Sequence, residues 1–237
     1  MVDFNWVTTS TGFVLADDVP VVAGGVVVVL AALVGVVAGA LAAGVLLAAG
    51  NGSRLGQPKA LVELAGSTLA ERGVALLGDG GADPVIVVTG AVPVEIPGVV
   101  AVHNPDWESG MGSSLATGLL ALDHGDAEAA VIALADQPLV GADSVRRLIG
   151  AFRSGAGVAV AAYEGKPRNP VLIAREHWPA VLKLAAGDTG ARPFLRAHPE
   201  LVALIECGDT GRPDDVDTPE DLARVRREAA ARATEGP

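Results

Sequence analysis

The stretch of sequence richest in chemistry is the glycine-rich segment GVLLAAGNGSRLGQPK at residues 44–59. Its apolar start ends at Gly50, and Arg54 and Lys59 follow among the glycines. Backbone N–H groups in such a turn form an anion-binding nest, while an arginine can fork two phosphate oxygens and a lysine adds a point charge. The segment therefore predicts a site for a triphosphate whose α-phosphorus is attacked while pyrophosphate leaves.

The spacing of the segment excludes two common phosphate loops. A P-loop requires G-x-x-x-x-G-K-[ST], but five residues separate Gly50 from Gly56, and no hydroxyl residue follows Lys59. The dinucleotide fingerprint requires G-x-G-x-x-G, whereas Gly50, Gly52 and Gly56 give one residue more, and Pro58 interrupts the expected helix. A plain strand–helix connection with solvated charges stays open, although such connections are usually about two to six residues long.

Two acidic segments could hold a divalent metal. Asp136 follows the apolar run 130–135 and precedes Pro138, which places it at the carboxyl end of a predicted strand. Ligands bind at that edge of open α/β sheets, and Mg²⁺ usually takes one or two carboxylates plus substrate phosphates. Residues 214–220, DDVDTPE, supply the second acid, and spacing leaves Asp215 and Asp217 open. A helix cap is the competing interpretation of Asp217.

The segment NPDWESGMGSSL at residues 104–115 has a strand exit, a flexible loop and a helix start. Hydroxyls of Ser113 and Ser114 can hydrogen-bond a base or ribose edge there. Helix capping is the alternative role of these serines. We expect Trp107 to pack within the loop.

Apolar runs alternate with helical patterns along the chain, which predicts βαβ units and an α/β fold with a mainly parallel sheet. Ser67, Ser113 and Asp143 are expected as N-caps or first-turn residues, and Thr218 as the cap of the last helix. The helical patterns cover residues 68–77, 113–122, 143–152 and a segment from 219 that frays after 230. The predicted strands cover residues 45–49, 84–89, 99–103, 130–135, 158–162, 170–174 and 201–207.

The composition limits the possible partners. Half of the 237 residues are hydrophobic but only 3% are aromatic, which predicts a core of Ala, Val and Leu with close helix–sheet packing. The formal net charge of -11 argues against nucleic acid as a partner. Cys207 is the single cysteine, which excludes an internal disulfide and fits a cytoplasmic location.

The first 43 residues form a hydrophobic extension ahead of a domain expected at residues 44–232. Residues 21–43 carry no charge, and this uncharged segment is long enough for a membrane helix. Because Arg54 is the first basic residue, an anchor would leave the domain on the cytoplasmic face of the membrane. An additional packed helix and a misplaced translation start are the other two interpretations.

The sequence LAAGNGSRLGQPK at residues 47–59 resembles the signature of MobA/MocA-like nucleotidyltransferases, above all the molybdopterin cytidylyltransferases. The resemblance continues in separate blocks to about residue 227. It implies a three-layer α/β/α fold of the nucleotide-diphospho-sugar transferase type, Rossmann-like, with a mainly parallel, mixed sheet. It also implies Mg²⁺-dependent transfer of a nucleoside monophosphate from an NTP to a phosphorylated acceptor, molybdopterin above all.

The same resemblance assigns roles to residues. It makes Arg54, Lys59 and Asp136 catalytic, and it gives the metal to Asp136 and Asp217. RNPVL at 168–172 and GDTGAR at 187–192 resemble acceptor-side blocks, which implicates Asn169, Asp188 and Arg192, although many relatives have His where this chain has Asn169. The implied nucleotide-binding residues are Leu47, Ala48, Ala49, Gly50, Asn51, Gly52, Ser53, Arg54, Lys59, Ser113 and Ser114.

The choice of nucleotide depends on one position. Guanylyl-type relatives tend to have LAGG where this chain has LAAG, so the extra methyl group of Ala49 favours CTP over GTP. A sugar-phosphate nucleotidyltransferase and a non-catalytic nucleotide-binding chaperone of the same fold are the alternatives. A transient contact with a molybdoenzyme or its chaperone follows from the molybdopterin hypothesis.

Overall fold

The computed structural model describes residues 42–234, with side chains to residue 229, and the pairs Thr8–Thr9 and Gly12–Phe13, which form a short antiparallel ladder. The three interpretations of the uncharged run 21–43 lie outside the described residues, except that Ala42 and Ala43 belong to a strand. No helix within the described residues is long and apolar enough to cross a membrane.

Within residues 42–234, seven strands form the central sheet: β1 (Ala42–Leu47), β2 (Val85–Thr89), β3 (Val100–His103), β4 (Ala129–Leu134), β5 (Val158–Tyr163), β6 (Lys166–Ala174) and β7 (Val202–Glu206). Their order across the sheet is β7-β5-β6-β4-β1-β2-β3. Only β6 runs antiparallel to its two neighbours, so the mainly parallel, mixed sheet is confirmed.

The prolines at 167 and 170 lie inside β6, although the sequence predicts a strand only from residue 170. The register of β6 against β5 shifts between Pro167 and Val171. A register shift relieves the strand of ladder hydrogen bonds that proline cannot donate. The exposed first part of β6 therefore extends the strand beyond its predicted start.

Six helices lie within residues 42–234, and five of them pack on the two faces of the sheet. Because side chains of a strand alternate, Val45 packs on one face of β1 and Leu46 on the other. Leu46 joins a cluster with Leu77 and Leu148, and Val45 joins one with Leu119, which gives three layers. The helices are α1 (Leu69–Asp79), α2 (Met111–Leu122), α3 (Ala142–Arg153), α4 (Trp178–Leu184), α5 (Arg192–Ala197) and α6 (Pro219–Thr234).

Helix caps follow the sequence with one exception. Thr68, not Ser67, caps α1 in a capping box: the N–H of Glu71 donates to Thr68 Oγ1 at 3.2 Å, and that of Thr68 donates to Glu71 Oε2 at 2.6 Å. Ser67 instead pairs in a two-residue strand, so its predicted capping role is wrong. Ser113 and Asp143 lie in first turns, as expected, and α6 continues past residue 230.

Candidate active site

A third apolar cluster brings the chemistry-bearing segments together. It contains Leu55 of the glycine-rich loop, Leu139 after β4, and Val216 before α6. Each lies within three residues of a charged site residue, and the loops after parallel neighbours β1 and β4 leave the same edge of the sheet. Burial of these apolar side chains therefore draws the loop and both acidic segments to one place.

Lys59 lies between the two predicted metal-binding carboxylates. Its Nζ atom donates to Oδ2 of Asp136 at 2.7 Å and also to Oδ1 of Asp217. Arg54 Nη2 donates to Oδ2 of Asp217 at 2.9 Å. The side chains of Lys59, Asp136 and Asp217 are 20%, 22% and 28% exposed, whereas that of Arg54 is 70% exposed. The structure thus assembles all four predicted charged residues, with Arg54 at the surface.

The electrostatics favour the charged forms of Lys59 and Asp217. Burial on its own lowers the pKa of Lys59, but attraction to Asp136 and hydrogen bonds to Asp136 and Asp217 outweigh it, and the net effect raises the pKa. The hydrogen bond from Lys59 is the main reason that the pKa of Asp217 is lowered, with further attraction to Lys59 and Arg54. The ammonium group thus stabilises two neighbouring carboxylates that would otherwise repel each other.

Asp217 and Asp215 differ in their contacts, although the sequence spacing leaves open which of them is the second acid of the site. Asp215 Oδ1 accepts a hydrogen bond from Gln137 Nε2 at 2.9 Å, and the same Nε2 lies 3.3 Å from the carbonyl oxygen of Pro213. Burial raises the pKa of Asp215. Because Asp217 is the one that contacts Lys59, the geometry favours Asp217 as the partner of Asp136.

The side chain of Asp217 does not cap helix α6. Thr218 caps α6, since Oγ1 of Thr218 accepts the N–H of Asp221 at 3.2 Å and Asp221 Oδ2 accepts the N–H of Thr218 at 3.1 Å. Arg224 ties this turn to the preceding loop through Nη1 and Asp214 Oδ2 at 3.1 Å. The carboxylate of Asp217 is therefore directed to Arg54 and Lys59.

The glycine-rich loop closes on itself. Gly52 has a φ of 62°, and a Cβ atom there would lie 2.0 Å from the carbonyl oxygen of Gln57, so only glycine fits. The N–H of Leu55 donates to the carbonyl of Gly52 at 2.8 Å, and that of Ser53 donates to Oδ1 of Asn51 at 3.1 Å. The exposed members of the loop are Gly50, Asn51, Ser53, Arg54, Gly56 and Gln57.

This combination of loop, fold and charges has a counterpart among known proteins. The domain described as MobA-like NTP transferase matches residues 44–202. The chain belongs to the MobA-like NTP transferase family. It is thus a member of a family of nucleotidyltransferases, and its fold is that of the nucleotide-diphospho-sugar transferases.

The similarity to two named relatives covers nearly the full length of each relative. Nicotine blue oxidoreductase of Paenarthrobacter nicotinovorans is 40% identical over 196 residues, which cover 77% of this chain and 95% of the relative. A probable molybdenum cofactor guanylyltransferase of Opitutus terrae is 30% identical over 195 residues, 79% of this chain and 96% of the relative.

Solved structures agree with the family. The Mycobacterium tuberculosis rv0371c homolog from mycobacterium sp. strain JC1 has a TM-score of 0.72 and 32% identity, covering 81% of this chain and 98% of its own. Rv0371C of M. tuberculosis H37Rv in complex with manganese has a TM-score of 0.64 and 26% identity, covering 79% and 98%.

The donor set of this transferase suits a divalent cation. Among residues 42–229, no group of three or more His, Cys, Asp and Glu side chains is arranged around a common point. Two carboxylates that converge on one ammonium group are nevertheless hard oxygen donors for one cation, and substrate phosphates would complete its coordination. Asp136 and Asp217 therefore fit a metal whose remaining ligands come with the nucleotide.

The predicted nucleotide residues at the end of β1 are buried. The side chains of Leu47, Ala48 and Ala49 lie in the interior, so any contact with a nucleotide would be made by their backbone, and their nucleotide-binding role stays a prediction. A Cβ atom on Gly90 would lie 2.8 Å from that of Ala49 and 2.5 Å from that of Trp107. The methyl group of Ala49 thus belongs to a packed layer with Gly90 and Trp107, which agrees with the expected loop packing of Trp107.

Both predicted serines are held by one asparagine. Asn104 is 1% exposed, and its Nδ2 donates to the hydroxyls of Ser113 at 2.9 Å and Ser114 at 3.0 Å. Its Oδ1 accepts the N–H of Asp106 at 3.0 Å, and Ser113 Oγ also donates to the carbonyl of Gly110 at 2.9 Å. The hydroxyls therefore fix the loop to the start of α2, and Ser114 itself is buried.

The three predicted acceptor residues are spread over separate elements. Asp188 lies against the start of α2, since a Cβ atom on Gly110 would be 2.7 Å from Oδ1 of Asp188. Asn169 lies on β6, and exposed Arg192 begins α5. Within residues 42–229, no side-chain hydrogen bond or ion pair joins these three to Lys59 or its two carboxylates. Their acceptor role stays a prediction.

Two residues of the site received no role from the sequence. Asn104 has a detectable signal, because an Asn-Pro-Asp sequence after a strand is typical of a side chain that bonds the backbone two residues later. Gln137 has a weaker one, a polar residue between a strand-end aspartate and a proline. Its partner lies 78 residues away, which no local pattern reveals.

Proposed function

We propose that this protein is a Mg²⁺-dependent nucleotidyltransferase that transfers a nucleoside monophosphate from an NTP, with CTP preferred over GTP, to a molybdopterin-like phosphate. The observation that carries the proposal is the convergence of Lys59, Asp136 and Asp217 beside the glycine-rich loop. The transferase domain is proposed at residues 44–232, with residues 1–43 as an extension, and its proposed location is the cytoplasm.

The proposed reaction is an in-line displacement at the α-phosphorus of the NTP. An oxygen of the acceptor phosphate forms a bond to that phosphorus, and the bond from phosphorus to the bridging oxygen of the β-phosphate breaks, so pyrophosphate leaves. The acceptor oxygen is already anionic, and no general base is needed. Catalysis then rests on positioning and on electrostatic stabilisation of the transferred group.

Different residues of this chain would stabilise the phosphates and the metal. Backbone N–H groups of Gly50, Asn51, Gly52 and Arg54 would face the phosphates, and the guanidinium of Arg54 would neutralise charge at the exposed rim. Lys59 turns from its carboxylates to a phosphate oxygen when the nucleotide binds. Asp136 and Asp217 would hold the metal, which supplies Lewis-acid neutralisation of phosphate charge.

The nucleotide and acceptor assignments rest on one residue of the loop and on the name of one relative. The LAAG sequence favours CTP, and because Ala49 is packed against Gly90, its effect on the base would run through the position of Trp107. The name of the molybdenum cofactor guanylyltransferase relative supports a molybdopterin acceptor. A transient contact with a molybdoenzyme or its chaperone would deliver the product. A sugar-phosphate transferase and a non-catalytic nucleotide-binding module are the alternatives.

A redox activity is a further candidate, because the relative at 40% identity is named an oxidoreductase. The glycine spacing of this chain departs from the dinucleotide fingerprint by one residue. Two carboxylates around a lysine suit a metal and a triphosphate better than a nicotinamide ring. These residues therefore favour nucleotidyl transfer.

The test is a panel of CTP, GTP, ATP and UTP with molybdopterin and Mg²⁺, in which pyrophosphate and the nucleotide-joined product are both measured. We expect both products with CTP, less with GTP, and neither from the Asp136→Asn variant. Parallel reactions with NADH and NADPH serve as the redox control. Oxidation of a reduced dinucleotide without pyrophosphate from any NTP would contradict the proposal.

A further inference from the structure

A buried polar pair lies directly behind the two proposed metal-binding carboxylates. Gln137 follows Asp136 in the chain, is 6% exposed, and donates from Nε2 to Oδ1 of Asp215 at 2.9 Å. Asp215 in turn precedes Asp217 by two residues. The pair therefore connects the neighbours of two side chains that are 81 residues apart in sequence.

A backbone hydrogen bond runs beside this pair. The N–H of Val216 donates to the carbonyl oxygen of Asp136 at 2.8 Å, and the side chain of Val216 is fully buried. The Gln137 amide also lies 3.3 Å from the carbonyl oxygen of Pro213. The segment 211–217 has no helix or strand of its own, so these contacts to the end of β4 fix its path.

We infer that Gln137 and Asp215 are positioning residues that set the separation of the Asp136 and Asp217 carboxylates, and that Asp215 is not itself a metal ligand. The inference rests on the proposed function in one respect, that Asp136 and Asp217 hold the metal. Once Lys59 has turned to a phosphate oxygen, the two like charges repel each other, so an untied segment 211–217 would move Asp217 away from Asp136. Loss of a partner that orients metal ligands typically lowers metal affinity about 10- to 100-fold.

Three substitutions distinguish the two possible roles of Asp215, which are positioning Asp217 and binding the metal directly. Asp215→Asn keeps the Oδ1 acceptor for Gln137 and removes the negative charge, whereas Asp215→Ala removes both. Gln137→Met keeps the volume of the side chain and removes the donor. A positioning role predicts that only the Ala and Met variants lose metal affinity, while a direct ligand would be weakened by the Asn variant as well.

The experiment measures Mn²⁺ binding to the full chain by electron paramagnetic resonance, with and without CTP. Asp215→Ala and Gln137→Met are expected to weaken Mn²⁺ about 10- to 100-fold, and the double variant no further than either alone. Asp215→Asn should stay close to wild type. Asp209→Ala is the matched control, because this exposed carboxylate of the preceding turn bonds Arg147 and not the end of β4. In turnover, saturating metal should restore kcat in the positioning variants.

Wild-type affinity in both Asp215→Ala and Gln137→Met would overturn the inference alone, as would equal losses in Asp215→Asn and Asp215→Ala. Absence of Mn²⁺ binding by the wild-type protein with CTP present would overturn the proposed metal-dependent function, and the inference with it. Circular dichroism checks that each variant is folded, and Gln137→Met remains as the test if Asp215→Ala does not fold.

Discussion

Replacement of Lys59 by methionine tests the charge arrangement most directly. The substitution keeps an unbranched apolar stem and removes the ammonium group that contacts Asp136 and Asp217. Without metal or nucleotide, the two carboxylates would face each other with Arg54 as the remaining cation, and Arg54 contacts only Asp217 in this group. The variant should therefore unfold more readily than the wild type when divalent metal is absent.

The expected size of this loss follows from the exposure of the three side chains. Removing one partner of a fully buried ion pair costs about 3–5 kcal/mol, whereas an exposed pair contributes about 0–1 kcal/mol. Lys59, Asp136 and Asp217 are each less than a third exposed, which places the loss between these limits, at about 2 kcal/mol. For a domain of this size, that loss lowers Tm by about 4–8 °C.

Thermal unfolding followed by circular dichroism at pH 7 measures the effect, first with a chelator and then with Mg²⁺. Mg²⁺ should raise the Tm of Lys59→Met more than that of the wild type, because the cation can bind the carboxylates without displacing the ammonium. Lys166→Met is the matched control, since exposed Lys166 carries the same charge on β6. Equal Tm values for Lys59→Met and the wild type in chelator would refute the reasoning, as would a larger Mg²⁺ effect on the wild type.

Four further outcomes are expected. Asp136→Asn should lower kcat at least about 100-fold while the circular dichroism spectrum stays native, and near-normal turnover would contradict its role. Thr68→Ala removes the cap of α1 and should lower the free energy of unfolding in urea by about 1 kcal/mol. Gly90→Ala brings a methyl group against the neighbouring indole, so CTP affinity measured by calorimetry should fall together with Tm. The lowered pKa of Asp217 gives stability that is present above its ordinary value of 3.8 and lost as pH falls through the lowered pKa. The raised pKa of Lys59 gives stability that is present below 10.5 and lost as pH rises through the raised pKa, so the difference in urea stability between the wild type and Lys59→Met should be largest between these limits.

The sequence by itself determined the parts that depend on local pattern. Glycine spacing separates this loop from the P-loop and the dinucleotide fingerprint, and alternating apolar runs predict every strand of the central sheet within a few residues. Asp136 is placed at a strand end because Pro138 stops the apolar run. The cap at Thr218 follows from its own neighbours, since a capping box involves residues only three apart.

Other features depended on residues far apart in the chain, and only the tertiary structure decided them. Lys59 bonds carboxylates that lie 77 and 158 residues further on, so its place between them has no local signal. The different contacts of the two aspartates also have no local signal, since Asp217 bonds Lys59 whereas Asp215 bonds Gln137. Sequence spacing treats the two aspartates alike, and packing of Val216 at the sheet edge directs one toward the lysine and leaves the other behind the site.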